Sequence, residues 1–183
     1  DGHILIDAGL SVLQSLDFFS VNPAKITDIL ITHTHGDHFF PEAINKIAAA
    51  EGRKDKLRLH CNAKALALFD DSIEKNSLTY GSEFILAETK IRVLPANHHV
   101  EDFTEETFHF LFDTPQNKRM LYAIDGAWMN SIAWRMLLDK KVNLIIWDAT
   151  CGNSIYNYRF ATHNDLMMIK CMRKAMENNN YID

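Results

Sequence analysis

Residues 29–40 read Ile-Leu-Ile-Thr-His-Thr-His-Gly-Asp-His-Phe-Phe, and this stretch constrains the chain more than any other. Three apolar residues run directly into His33, His35, Asp37 and His38. Imidazole nitrogen and carboxylate oxygen are the ligands of zinc and similar divalent metals. In an extended segment alternate residues point to the same side, so His33 and His35 can face one ion together. Asp37 lies on that side but farther along, and His38 leaves it at a turn, so this pair can serve a second ion nearby. Gly36 lets the backbone bend between the two pairs. The chain holds 9 His in 183 residues. From that composition a chance His-x-His-x-Asp-His match is on the order of 10⁻³, which favours metal binding over a chance surface cluster.

The rest of the composition narrows the class. A chain of 183 residues that is 47% hydrophobic can build one domain with a real core, spanning 1–183. The formal net charge of −5 leaves no basic footprint and counts against a nucleic-acid backbone as the main partner. Cys61, Cys151 and Cys171 are odd in number, far apart and without a Cys-x-x-Cys pair. That argues against a disulfide framework or a zinc ribbon and for core filling in a reducing cytoplasm. No run of 18 or more apolar residues is present, so no membrane span is expected. The sequence opens at Asp1 close to a strand and stops at strand-like Tyr181-Ile182-Asp183. A longer native chain is therefore expected.

Strands are expected at Ile4–Ile6, Ile26–Thr32, Leu57–Cys61, Glu83–Ala87, Lys90–Leu94, Thr107–Phe112, Arg119–Ile124 and Leu144–Trp147, the last of these buried. Helices are expected over 11–19, from Pro41 to about Ala50, after Asn62, around Ser131 to Leu138, and from Asn164 or Asp165 to about Met176. Residues 71–82 are polar and carry no clear period. The mixture of hairpins and strand–helix alternation fits an α/β (α+β) fold with a mixed sheet, or two sheets, and helices outside. Asp7, His33, His98, Asp125 and Asp148 all stand just after strands, where such folds place their sites.

Two ions need more ligands than the first cluster provides. His98, or its neighbour His99, can give the first ion a third imidazole, leaving a position for water. Asp125 is the natural carboxylate to bridge both ions. Asp7 and Asp148 suit orienting a ligand histidine or capping a loop. His3, His60 and His109 have no neighbouring cluster in the sequence and read as structural. Trp128 and Trp134 read as core or pocket wall, and Phe39-Phe40 as an anchor for the loop.

The chain now resembles the metallo-β-lactamase superfamily of metallohydrolases. Leu5-Ile6-Asp7-Ala8-Gly9, His33-Thr34-His35-Gly36-Asp37-His38, Asn97-His98 and Asp125-Gly126 are similar to its first four motifs, in order. The resemblance covers residue 4 to about 165 and implies an αββα sandwich, here incomplete, with a dinuclear site along the sheet edges. His35 stands where the oxygen-reducing diiron branch has Glu, which favours a hydrolase. Ile146-Trp147-Asp148-Ala149-Thr150 and Thr162-His163-Asn164-Asp165-Leu166 are similar to the branch of ribonuclease-Z-like and phosphonate-pathway cyclic phosphodiesterases. In that branch the corresponding His stands near the metals without being a ligand. The resemblance thus gives His163 the role of general acid or phosphate contact; capping the last helix is its structural alternative. The superfamily's last ligand histidine has no counterpart after His163. Either it lies beyond residue 183, or His163 replaces it, or the second site is incomplete.

The implied chemistry is phosphodiester hydrolysis by a hydroxide bridging two divalent ions, zinc first, with manganese or iron as alternatives. The metal set is His33, His35, Asp37, His38, His98 and Asp125. Asp37 can also accept the water's proton, and His163 can protonate the departing alkoxide. The expected partner is a small or cyclic phosphodiester, with a homodimer as the assembly compatible with the chain. A thioester, lactone or β-lactam hydrolase, a transfer-RNA 3′-processing nuclease and an inactive binding or scaffold domain are the competing readings.

Overall fold

The structure is a computed structural model and describes residues 3–102, 104–137, 139–154 and 158–182. It falls into two compact units, Asp1–Thr79 and Tyr80–Asp183. Among the described residues there are two sheets and five α-helices, the α/β class expected from the sequence.

The first unit is built on four parallel strands in the order β1 (His3–Ile6), β2 (Ile26–Leu30), β3 (Arg58–Cys61) and β4 (Glu74–Ser77). Helices α1 (Val12–Phe18), α2 (Pro41–Ala48) and α3 (Ala63–Leu66) connect them. Pro41 opens α2, where its fixed φ suits the first turn and its missing N–H costs no bond. Ala43, Ile44 and Ile47 form the buried stripe of α2, packed with Ile29, Ile31, Leu59 and Phe39. Asn62 caps α3 by accepting from the Ala65 N–H, as its sequence position suggests. β4 has no counterpart in the sequence reading. Glu-Lys-Asn-Ser is polar and mostly exposed on an edge, so only backbone pairing with β3 defines it.

A buried polar knot sits among the apolar side chains. Asp28 on β2 accepts from Arg58 Nε at 2.6 Å and His60 Nε2 at 2.9 Å, both on β3. His60 is structural, as expected, but it does have partners; they come from the neighbouring strand, 32 residues away. These bonds hold the Asp28 carboxyl well below the usual carboxylate range in spite of its burial.

The second unit is a five-stranded sheet in the order β5 (Glu83–Leu86), β6 (Thr89–Pro95), β7 (Phe108–Asp113), β8 (Arg119–Ala123) and β9 (Leu144–Trp147). β5 to β8 pair antiparallel, and β9 joins β8 in parallel after a crossover that contains α4 (Ser131–Met136). A turn at Thr114–Asn117 joins β7 to β8 as expected, closed by Asn117 N–H to Thr114 O at 3.0 Å. The last helix, α5 (Leu166–Asn178), buries Met168, Met172 and Met176 at four-residue spacing. Asp165, not His163, is its N-cap, accepting from the Met168 N–H at 2.7 Å. β9 differs from the buried strand expected: Leu144 and Ile146 are exposed and Ile145 and Trp147 half-buried. An edge strand with one covered face alternates in this way. Beyond α5, Ile182 bridges Val142 in parallel. Among the described residues no helix is long and apolar enough to cross a membrane.

Candidate metal centre

In the first unit β2 feeds the loop that carries the histidine cluster. Asp7, just past β1, organises it. Its carboxylate accepts the Thr32 N–H at 2.8 Å, the Thr32 hydroxyl at 3.0 Å and His38 Nδ1 at 2.8 Å. Burial pushes the Asp7 carboxyl up, against the pull of these bonds. The loop is also strapped to residues 8–10. Ala8 N–H donates to His38 O at 2.7 Å, Phe40 N–H to Ala8 O at 2.8 Å and Leu10 N–H to Gly36 O at 3.1 Å. Phe39 is buried and meets Phe69 edge-on, so it anchors the loop as expected.

Two glycines exchange importance here. Gly36, expected to supply the bend, needs no left-handed φ, and a Cβ on it would meet nothing closer than Leu10 Cδ1 at 4.0 Å. The bend comes instead from a turn in which His35 O accepts from both His38 N–H and Phe39 N–H. Gly9 is the residue without room: a Cβ there would lie 1.8 Å from Asp37 O.

The imidazoles converge. His33 Nε2 lies 3.0 Å from His35 Nδ1, and the His33 and His38 ring centroids are 4.2 Å apart. His38 Nε2 is 3.5 Å from Asp37 Oδ2, whose side chain is 78% exposed. Three crowded rings with a carboxylate in reach form a donor set that suits divalent cations.

In the second unit His98, just past β6, pairs Nδ1 with Thr162 O at 3.1 Å, which leaves the lone pair on Nε2. Its ring meets that of His163 at 5.0 Å, whereas His99 is exposed. A ligand atom of His98 and one of Asp125 lie within 4.8 Å of each other. Asp125 follows β8 with a φ of 47°. Asp125, Asp148 and His163 each offer a ligand atom within the same limit. His163 Nδ1 is 2.8 Å from Asp148 Oδ2 and 3.8 Å from Asp125 Oδ1. Asp148 therefore partners His163 rather than one of the expected ligand histidines.

Two residues support the loop after Asp125: Asn164, a candidate cap of the last helix in the sequence, and His109, read there as structural. Asn164 is buried; its Oδ1 accepts from the Trp128 N–H at 2.9 Å and its Nδ2 donates to Gly126 O at 2.7 Å. It therefore clamps the loop after Asp125. Asp148 adds an acceptor for the Gly126 N–H at 3.2 Å. His109 lies beneath the same loop, with Nε2 3.4 Å from Asp125 O and Nδ1 without a hydrogen-bond partner. Burial pushes its imidazole down to about 4. The sequence signal for Asn164 is its place directly after His163; for His109 the sequence carries only the structural reading.

The family profile described as a Beta-lactamase superfamily domain matches residues 3–175, and the chain belongs to that superfamily. Among curated proteins it is similar to Ribonuclease Z of Methanococcus maripaludis, 31% identical over 116 residues, which is 60% of this chain and 37% of that protein. Ribonuclease Z of Methanocaldococcus jannaschii is 27% identical over 111 residues, 58% of this chain and 32% of that protein. The match therefore spans about a third of these relatives. Among solved structures, human tRNase Z, short form, aligns with a TM-score of 0.72 and 15% identity over 93% of this chain and 76% of that one. A diphosphatase from the PhnP family aligns at 0.71 and 17% over 95% and 64%. Likenesses at this identity establish the fold, which is that of the metallo-β-lactamases.

Proposed function

We propose that this chain carries the dinuclear metal site of a phosphodiesterase. The observation that carries the reading is the convergence of His33, His35 and His38 around one loop, with Asp7 beneath it, in a member of this superfamily. Following the superfamily's motif order, His33, His35 and His98 would hold one ion, Asp37 and His38 the other, and Asp125 would serve both. The donor set of imidazoles and carboxylates suits zinc, and also manganese or iron. When bound, such ions supply Lewis-acid charge to a phosphoryl group and acidify a water.

The chain's own residues do the rest. Asp7 fixes the His38 ring by accepting from Nδ1, which directs Nε2 outward. Asp148 fixes His163 in the same way at 2.8 Å, leaving its Nε2 to hand a proton to a departing alkoxide. Asp37, largely exposed, can accept a proton from an attacking water. Asn164 and Asp148 keep Asp125 in place by bonding both sides of Gly126.

Phosphodiester as the substrate class draws support from Thr162-His163-Asn164-Asp165-Leu166. The names of the relatives, two ribonucleases Z, and of a structural neighbour, a PhnP-family diphosphatase, point the same way. A small or cyclic phosphodiester is the first reading, and the ribonuclease relatives favour RNA as the second. Protein loaded with zinc or manganese should hydrolyse an aryl phosphodiester faster than an aryl thioester or lactone. Turnover of the thioester or lactone alone would overturn the reading, and cleavage of precursor transfer RNA would select the second form.

A further inference from the structure

We infer that the second unit carries a stacking cleft for one nucleobase, formed by Trp128 and Phe160 on the segments that carry Asp125 and His163. The inference rests on the phosphodiesterase reading and extends it to the substrate's organic group. A cleft of about 270 Å³ is lined by Trp128, Phe160, Asp165, Met167 and Met168. Its volume suits a single planar ring system rather than a helix or a duplex.

The walls are aromatic and open to water: Trp128 is 45% and Phe160 57% exposed. Trp128 is also held against its own preference. Its φ is 42°, a left-handed value that is an outlier for a bulky side chain. The conformation is fixed by Asn164, which bonds the Trp128 N–H and Gly126 O. Strain that holds a large apolar ring at the surface contributes nothing to a core, and such strain gathers at ligand sites.

Position in the chain ties the cleft to the chemistry. Trp128 follows Asp125 by three residues, and Phe160 precedes His163 by three. The segments that carry a proposed ligand and the proposed acid therefore also carry the two walls. Every base has a π-face, so stacking of this kind tolerates any base.

The test titrates the protein, followed by calorimetry and tryptophan fluorescence, with adenosine 5′-monophosphate and with ribose 5-phosphate, which lacks the base. Adenosine monophosphate should bind about 5- to 100-fold tighter. Trp128→Gly should bring that ratio close to one; glycine is chosen because it takes this φ without strain. Phe160→Ala should lower the ratio as well, and it keeps the test available if the first variant does not fold. Equal binding of the two ligands, or a ratio unchanged in both variants, would overturn the cleft. A third arm with oligoadenylate separates sources: tighter binding than the mononucleotide assigns the cleft to a strand, equal binding to a free nucleotide, and either supports it. Base-dependent binding without turnover of any phosphodiester would defeat the phosphodiesterase reading alone. Turnover of methyl p-nitrophenyl phosphate without base preference in binding would defeat the cleft alone.

Discussion

Asp7 and His38 stand 31 residues apart in the chain, yet Oδ2 of one lies 2.8 Å from Nδ1 of the other. The same carboxylate also holds the Thr32 N–H and hydroxyl. One buried group thus sets both the entry to the histidine loop and the orientation of a ring inside it. Partners of this kind are worth about 10- to 100-fold in metal affinity. Asp7→Ala is expected to weaken metal binding by that factor in a chelator competition. Asp7→Asn should fall between it and the wild type, because the amide can still accept from Thr32. Unchanged affinity in both would remove Asp7 from the site.

Gly9 and Gly36 make a sharper contrast. A methyl group at Gly9 would occupy the place of Asp37 O, whereas at Gly36 it would meet only Leu10 Cδ1 at van der Waals distance. Gly9→Ala should destabilise the fold by about 1–3 kcal/mol or more, as other overpacked sites do. Gly36→Ala should lie within about 0.5 kcal/mol of wild type. Urea denaturation of the two variants measures both. Equal stabilities would show that the strap between residues 8–10 and the loop is not as close as described.

His109 gives the fold a pH dependence that can be isolated. Burial lowers its imidazole to about 4, while an unfolded histidine titrates near 6.5. Between those values the unfolded chain binds a proton that the folded chain refuses, so stability rises with pH across that window and its full value is present above it. The loss of stability from this residue between pH 7 and pH 4.5 should be about 2 kcal/mol. His109→Gln keeps a donor for the Asp125 carbonyl and removes the titration. Metal-stripped wild type should therefore lose more stability than the variant between pH 7 and pH 4.5, measured by urea denaturation. Parallel losses would contradict the assignment.

Much of this architecture is legible in the sequence. The period-two and helical patterns placed most strands and helices because those elements bury one apolar side. β4 was not legible, because Glu74-Lys75-Asn76-Ser77 buries almost nothing and forms only by pairing with β3. The exposed face of β9 is not legible, because an apolar run on an edge strand looks the same as one in a sheet interior. At the site, residue types and spacing marked His33, His35, Asp37 and His38, and the structure brings the three rings of the cluster together. What spacing does not encode is the support. Asn164 bonding both Gly126 and Trp128, Gly9 making way for Asp37, and Asp28 joining Arg58 to His60 are contacts between residues far apart in sequence.

The central claim is the two-metal site, and metal content tests it most directly. Protein dialysed against metal-free buffer should retain about two divalent ions per chain by elemental analysis. His35→Ala and Asp125→Ala should each lower that number while circular dichroism shows the fold intact. A wild-type chain that is folded and retains no divalent metal after incubation with zinc, manganese or iron would contradict the account.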